Sequence, residues 1–345
     1  MDWQIAVLLL QDGLTNGAVY ALLGIAIVLV FAVTRVIFVP QGEFVTFGAL
    51  TLASLQAGLV PGSVWLLLVA AVVVAALELP EAVREDGAVG AGRVAARTLA
   101  LPAVIALVAW WLAPHELPLL AQVALTLAII TPLGPLLYRA VFQPIADASV
   151  LVLLIAAVAA HFVLTGLALV FFGAEGFRTP AFSDGSLSLG ALVFSGQSLW
   201  IYGVTLLLIV AMGLFFTFTL TGKALRATAF NRTGARLIGF SPNRAGSLTF
   251  TFAAFLGTLS GVLIAPVVTI YYDSGFVIGL KGFVAAIVGG LASYPLTALG
   301  AVLVGVLEAF SSFWASGYKE AIVFTLVIPV LIWLSLTGTH HEEEE

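Results

Sequence analysis

Three ionisable residues interrupt or adjoin long apolar stretches of this sequence: Glu43, Lys281 and Glu308. In a lipid bilayer an ionised side chain is costly unless it is paired or hydrated, so each is a candidate for a transport route. The Glu43 carboxylate could act in gating or cap a helix, and Glu308 could contact a transported molecule or bond to a neighbouring helix. For Lys281 we favour an ammonium that reaches towards the membrane interface.

The composition predicts a protein that lives in a lipid bilayer. Of 345 residues, 61% are hydrophobic and 9% are charged, whereas a soluble domain carries roughly a quarter charged residues. The 13 Lys and Arg face 18 Asp and Glu, a balance that does not indicate nucleic-acid binding. The absence of cysteine excludes disulfides, thiolate metal sites and cysteine nucleophiles. The four histidines form no recognisable metal motif.

Long charge-free stretches predict the membrane helices. A spanning helix needs ~20 predominantly apolar residues, and the alternation typical of a transmembrane β-barrel is missing. We predict an all-α polytopic membrane protein with about eight to ten transmembrane or partly crossing helices. The charge-free stretches are 13–34, 44–77, 98–115, 117–138, 148–174, 185–222, 245–272, 282–307 and 321–339.

A basic loop at 222–247 predicts the orientation. No acidic residue occurs between Asp184 and Asp273, and loops rich in Lys and Arg stay on the cytoplasmic side. Counting crossings from this loop places the N-terminus outside, the segment 173–197 outside and the acidic tail inside. The basic residues of the loop are Lys223, Arg226, Arg232, Arg236 and Arg244.

Each half of the chain contains an interrupted apolar segment. In the first half, Pro40 and Gly42 disturb the helical pattern beside Gln41 and Glu43. In the second half, five glycines between 275 and 290 precede Pro295. Interrupted segments in matching positions of two halves indicate a substrate pathway. The alternative is that the glycines serve only close helix packing.

The basic loop also has the pattern of a short amphipathic helix, with Gly239 as a stop signal and Pro242 just beyond it. Such a helix outside the membrane lies on lipid headgroups or docks on another protein. The many small residues between the arginines favour protein docking. The sequence contains neither a phosphate-binding P-loop nor the motif of an intramembrane serine protease, so ATP-driven work would need a separate subunit.

An ordered set of motifs resembles the LivH-type permease subunits of ABC importers for branched-chain amino acids, the hydrophobic amino acid and amide uptake family. The resemblance covers most of the chain. The motifs are Gly13–Leu22 with Asn16, Arg35–Ile37, Gly42–Phe44, Tyr138–Arg139, Gly222–Gly239, Gly279–Gly290, Gly305–Ala309 and Tyr318–Glu320.

The resemblance implies one transmembrane permease domain over 1–345, with an ATPase-docking loop at 222–247 and an acidic tail at 338–345. It implies a bacterial inner-membrane protein that binds no cofactor itself, with ATP and Mg on two cytoplasmic ABC ATPase subunits. The other implied partners are a LivM-like second permease, a periplasmic substrate-binding protein and membrane lipid.

The resemblance also implies roles for individual residues. The substrate-pathway candidates are Asn16, Gln41, Gly42, Glu43, Lys281 and Glu308. The ATPase-coupling candidates are Lys223, Arg226, Arg232, Arg236, Leu237 and Gly239.

The sequence departs from the family pattern at Phe38–Gln41, which stands where relatives have an Asn-Phe-Ala-His run. Losing an amide and an imidazole changes the hydrogen bonds offered to a zwitterion. Urea or short amides and aromatic or aliphatic carboxylates therefore remain alternative substrates. Glu43 and Glu308 keep an ion-coupled secondary transporter as the alternative class. We expect residues 80–97 to form a surface segment.

Overall fold

The computed structural model describes residues 3–189, 192–237 and 239–337, so the predicted acidic tail at 338–345 lies outside the described residues. The described chain is almost entirely helical, which confirms the all-α prediction. Its helices are α1 (Trp3–Thr34), α2 (Gln41–Gln56), α3 (Ser63–Leu112), α4 (Leu119–Ile130), α5 (Leu133–Leu137), α6 (Val150–Phe172), α7 (Gly196–Phe218), α8 (Leu220–Phe230), α9 (Arg232–Leu237), α10 (Pro242–Ile264), α11 (Ser274–Val288), α12 (Tyr294–Trp314), α13 (Lys319–Thr325) and α14 (Val327–Thr337).

Short irregular elements complete the described chain. A π-helical turn over Tyr138–Phe142 and a 3₁₀ turn over Gln143–Ile145 extend α5, and a second 3₁₀ turn at Ser316–Tyr318 precedes α13. The strands β1 (Ser186–Leu189) and β2 (Leu192–Ser195) form an antiparallel hairpin in which Ser186 is opposite Ser195.

Nine helical segments of the described chain are long and apolar enough to cross a membrane, which confirms the predicted range of eight to ten. They are Trp3–Thr34, Ser63–Arg84, Asp86–Leu112, Leu119–Ile145, Val150–Phe172, Gly196–Phe218, Pro242–Ile264, Tyr294–Trp314 and Ser316–Trp333.

The region expected to be a surface segment, 80–97, is helical and belongs to two of these spans. Helix α3 is kinked at Gly87, where φ is 59° and ψ is −139°. Glycine adopts this left-handed region without the steric cost that a Cβ would bring. Most of the segment is exposed, as expected for a surface segment, although it is helical. Its charges lie at the adjoining ends of two helices.

Helix α1 is the centre of the bundle and packs against α10, α11 and α12. The contact with α12 depends on small residues, because a Cβ on Gly17 would lie 2.9 Å from the Cα of Val302. Gly305 meets the backbone of the same stretch of α1. Ala301, Gly305 and Ala309, small residues at four-residue spacing on α12, are all buried within the chain.

Two short helices replace full-length spans, as the interrupted segments predicted. Helix α2 begins after a turn in which Arg35 has a φ of 60°, and α11 ends at a turn in which Gly290 and Leu291 have φ values of 64° and 55°. The two helices have 16 and 15 residues, which gives lengths of about 22–24 Å. They pack directly against each other beside α1.

The basic loop and the hairpin lie on opposite faces of the bundle. Arg232 donates a hydrogen bond to the carbonyl of Ala146 at 3.2 Å, so the loop contacts the turn between α5 and α6. At the other end, the Gln11 amide donates to the carbonyl of Val193 in the hairpin at 2.9 Å. This separation matches the predicted placement of 222–247 and 173–197 on opposite sides.

Candidate substrate pathway and docking loop

The two interrupted helices cross at glycines. A Cβ on Gly42 of α2 would overlap the carbonyl group of Gly275, whose carbon would lie 2.6 Å away, and a Cβ on Gly279 would lie 2.8 Å from the Cα of Gly42. Only residues without a side chain allow the two backbones to approach so closely. The crossing joins a predicted pathway residue, Gly42, to the glycine-rich stretch of the second half.

Glu43 is fully buried beside this crossing and contacts His161 of α6. One carboxylate oxygen lies 2.8 Å from Nδ1 of His161, and Thr165 lies 3.4 Å from the same nitrogen. The imidazole stacks on Phe276 of α11, with 4.5 Å between the ring centroids. The pair therefore connects α2, α6 and α11. The sequence offered no signal for it beyond two ionisable residues in apolar stretches.

Polar atoms without a partner are concentrated at the start of α2. The Gln41 amide nitrogen donates to the carbonyl of Ala253 in α10 at 2.9 Å. The remaining oxygen of Gln41, the second oxygen of Glu43 and the hydroxyl of Thr46 are buried with no hydrogen-bond partner among the described residues. Buried polar groups are normally paired, so such a group calls for a structural or functional explanation.

Lys281 and Glu308 form a buried ion pair. The ammonium lies 2.6 Å from Oε1 of Glu308 and 3.2 Å from a carboxylate oxygen of Glu320. The Tyr20 hydroxyl donates to the other oxygen of Glu308 at 2.6 Å. Only 4% of Lys281 is exposed, so the expectation that its ammonium reaches the membrane interface was wrong. Nearby carboxylates compensate the charge inside the bundle.

Helix α11 connects the two buried clusters, because it carries Phe276 against His161 and Lys281 against Glu308. Sequence reasoning missed Tyr20 and did not assign Glu320, although Glu320 lies in a family-like motif. Asn16 is half-buried beside the α1–α12 contact, and its side chain makes no hydrogen bond within the described residues. None of the five cavities described for this chain is lined by a pathway candidate.

The predicted single amphipathic helix of the basic loop is two helices, α8 and α9. Asn231 has an extended backbone, with φ −150° and ψ 102°, and its side-chain oxygen accepts a hydrogen bond from the amide of Gly234 at 2.8 Å. Asparagine is favoured at such a cap, which explains the break. Gly239 has a φ of 88°, as expected for the stop signal.

The main apolar face of the loop packs on its own bundle. Leu225 is fully buried against a cluster that includes Val33 and Phe216, and Ala235 is also buried. The bundle of this chain covers these two side chains, so a docked protein would contact the outward-pointing side of the loop. Apolar groups nevertheless point outward: Leu220, Phe230 and Leu237 are 84–95% exposed.

The basic side chains of the loop also fall into an exposed group and one that packs on the bundle. Lys223, Arg226 and Arg236 are exposed, while Arg232 is partly buried and holds the turn at Ala146. The outward surface of α8 and α9 therefore combines isolated apolar side chains with positive charge. We call Leu220, Lys223, Arg226, Phe230, Arg236 and Leu237 the docking surface.

The comparison with known families decides the identity. The family model for "Branched-chain amino acid transport system / permease component" matches residues 88–332, which is more than half of the chain. The chain belongs to this family. The docking surface, Lys281 and Glu308 lie inside the matched region, whereas Asn16 and the Gln41–Glu43 segment precede it.

Individual relatives agree with this membership. The permease is 29% identical over 224 residues to the high-affinity branched-chain amino acid transport system permease protein BraD of Pseudomonas aeruginosa, covering 63% of this chain and 73% of that protein. It is 31% identical over 205 residues to the corresponding LivH proteins of Salmonella typhimurium and Escherichia coli, covering 56% of this chain and 65% of each relative. The match to the LivH proteins thus spans just under two thirds of their length.

One solved structure, PsaBC from Streptococcus pneumoniae in complex with Fab, aligns over 96% of this chain and 95% of that chain, with a TM-score of 0.38 and 12% identity. Family membership and the nine apolar segments of the described chain make the permease a multi-pass protein of the bacterial inner membrane and a transport-system component.

Proposed function

We propose that this permease is the membrane-spanning subunit of an ATP-driven ABC importer that translocates branched-chain or related amino acids. The observation that carries the proposal is the docking surface. Phe230 is 95% and Leu237 is 84% exposed on a loop outside the bundle, and large apolar groups surrounded by charge mark a protein contact. In this proposal the surface docks one of two cytoplasmic ABC ATPases, and those subunits bind the ATP and Mg.

The loop is built to transmit motion to the bundle. Leu225 packs against residues of α1 and α7, and Arg232 holds the turn at Ala146, so α8 and α9 cannot move without their neighbours. ATP drives such a switch only if it binds the two conformations with different affinity. Closure of the ATPases would therefore move α1, α7 and α10 relative to a LivM-like second permease.

The pathway in this proposal follows α2 and α11. The glycine crossing, the Glu43–His161 pair and the Lys281–Glu308 pair all lie on or beside these two helices. A substrate delivered by a periplasmic binding protein would meet both signs of charge along this route, which suits a zwitterionic amino acid. The ion pair with Lys281 already compensates Glu308, which argues against Glu308 as the coupling-ion site of a secondary transporter.

The docking surface is tested by recovery of the ATPase subunits. We expect Phe230→Asp, and separately Arg226→Glu with Arg236→Glu, to reduce co-purification of co-expressed ATPases by about 30-fold, since a central contact contributes about 2 kcal/mol. The matched control is Leu187→Asp in the hairpin on the opposite face, which is 47% exposed and should not change recovery.

Two results would contradict the proposal. Equal recovery of the ATPases by all variants would show that the docking surface is not the contact. ATP-independent uptake by the permease alone in proteoliposomes, driven by an ion gradient, would favour the secondary transporter.

A further inference from the structure

A polar cavity of about 480 Å³ lies beside the docking loop, on the same face of the bundle. Asn243 lines both this cavity and a smaller one bounded by Arg236 and Gly239, which places the opening next to α9. We call it the arginine cavity. Its lining residues are Glu78, Glu81, Ala82, Val94, Arg97, Arg139, Gln143, Asn243, Arg244, Ser247, Leu248 and Thr251.

One wall of the arginine cavity is fixed by an internal ion pair. Arg139 donates to Glu78 through Nε at 2.7 Å and through a second nitrogen, and it also donates to the buried hydroxyl of Thr98 at 2.9 Å. A bidentate arginine–carboxylate pair holds both side chains in a defined geometry. These contacts join the two segments of α3, before and after the kink at Gly87, to the π-helical turn. The wall is therefore rigid and nearly neutral.

The remaining charges of the cavity are not paired with each other. Glu81, Arg97 and Arg244 make no side-chain hydrogen bond and no ion pair with any described residue. Two positive charges and one negative charge thus line a single concave space while lying too far apart to contact each other. A ligand that carries both signs of charge could contact both sets.

The cavity also has an apolar part. Ala82, Val94 and Leu248 also line it and are each only partly exposed. Its volume is within the range of roughly 300–1,000 Å³ that is typical of small-molecule sites. A ligand with an oxyanion, an ammonium and an aliphatic portion would therefore match all three parts of the lining.

We propose that the arginine cavity binds a zwitterion that pairs an oxyanion with a primary ammonium. Arg97 and Arg244 hold the oxyanion, Glu81 holds the ammonium, and the apolar residues contact the aliphatic portion. Two sources share this chemistry: a free amino acid in the cytoplasm and the headgroup of a phosphatidylethanolamine lipid. The inference rests on the proposed function for the cytoplasmic orientation and for the choice of an aliphatic amino acid as probe.

Because the arginine cavity lies against α10, a bound ligand would affect transport. Arg244 lies in the first turn of α10, which follows the docking loop, and the same helix accepts the Gln41 hydrogen bond at Ala253. An occupant held between α3 and α10 restrains α10 against the neighbouring helices. Bound amino acid would then oppose the motion that the ATPases drive, so imported product would slow further import.

The test uses the purified full-length permease in nanodiscs of phosphatidylcholine, which has no primary ammonium. Titration calorimetry with L-leucine is expected to detect binding that Glu81→Gln, Arg97→Gln and Arg244→Gln each weaken at least about tenfold, the loss expected for one charge-assisted hydrogen bond. The matched control is Arg93→Gln, because Arg93 is an exposed arginine of the same segment that pairs with Asp86 outside the cavity.

Native mass spectrometry of the permease in phosphatidylethanolamine membranes distinguishes the two sources. If the cavity variants lose leucine binding, the site is assigned to a free amino acid. If the native permease retains phosphatidylethanolamine and the cavity variants do not, the site is assigned to the lipid headgroup. The proposal is overturned if neither ligand is affected by the variants, or if 4-methylpentanoate, which lacks the ammonium, binds as tightly as leucine. Because the ATPases are absent from this test, its outcome is independent of the co-purification result.

Discussion

Replacing Lys281 with methionine is expected to destabilise the permease by about 3–5 kcal/mol, the cost of leaving a buried charge without its partner. Lys281 and Glu308 are 4% and 7% exposed, and their charged atoms lie 2.6 Å apart. In the variant, the hydroxyl of Tyr20 is the one hydrogen-bond partner that Glu308 keeps among the described residues. Thermal and denaturant unfolding of the purified protein in detergent measures the loss.

The partner substitution separates charge from packing. Adding Glu308→Gln to Lys281→Met removes the uncompensated charge, so the double variant should recover most of the lost stability, as apolar or neutral replacements of buried pairs often do. Lys319→Met is the matched control, because Lys319 is 39% exposed and lies 3.8 Å from Glu320. An exposed pair contributes at most about 1 kcal/mol. A Lys281→Met loss no larger than that of Lys319→Met would refute the structural role of the pair.

The number of helices could be predicted from the sequence because each apolar run has to satisfy its own backbone hydrogen bonds within the bilayer. The two interruptions were also visible, since Pro40 cannot continue a regular helix and Gly289 and Gly290 are typical of a helix end. The positions of Lys and Arg predicted that 222–247 and 173–197 lie on opposite faces of the bundle. The apolar runs and the interruptions are local along the chain, and the structure confirms both.

The partners of the buried charges could not be predicted. Glu43 and His161 are separated by 118 residues, and Lys281 and Glu308 by 27. Which helices become neighbours depends on packing over the whole bundle, so a single sequence indicates that a partner is needed without identifying it. The Lys281 expectation failed because the interface and a buried partner are equally consistent with one lysine in an apolar stretch.

For the docking loop, the sequence predicted the helical structure but not the contacts of its apolar side chains. Its helical pattern was correct, but a pattern does not say which protein covers the apolar face. Leu225 packs on the bundle of this chain, and the outward apolar groups are Phe230 and Leu237. The break at Asn231 had a local signal, an asparagine three residues before Gly234, that the amphipathic pattern outweighed.

Gly42→Ala is expected to destabilise the permease by about 3 kcal/mol, at the upper end of the cost of overpacking. The added Cβ would overlap the carbonyl of Gly275, a backbone group that cannot rotate away as a side chain would. Separating α2 from α11 also shifts Glu43, the next residue of α2, which contacts His161 of α6. The unfolding midpoint should fall, and ATP-driven uptake should fall with it, because the proposed pathway follows these helices.

Glycines that face open space supply the controls for this prediction. A Cβ on Gly203 or Gly213 of α7 meets no heavy atom within 4 Å, so alanine at either position should leave stability unchanged or raise it slightly. Gly279→Ala on α11 should reproduce much of the Gly42→Ala defect, since its Cβ would lie 2.8 Å from the Cα of Gly42. If Gly42→Ala and Gly203→Ala unfold at the same temperature, the two short helices do not depend on this close approach. Glu43 would then have to be held in place by His161 alone.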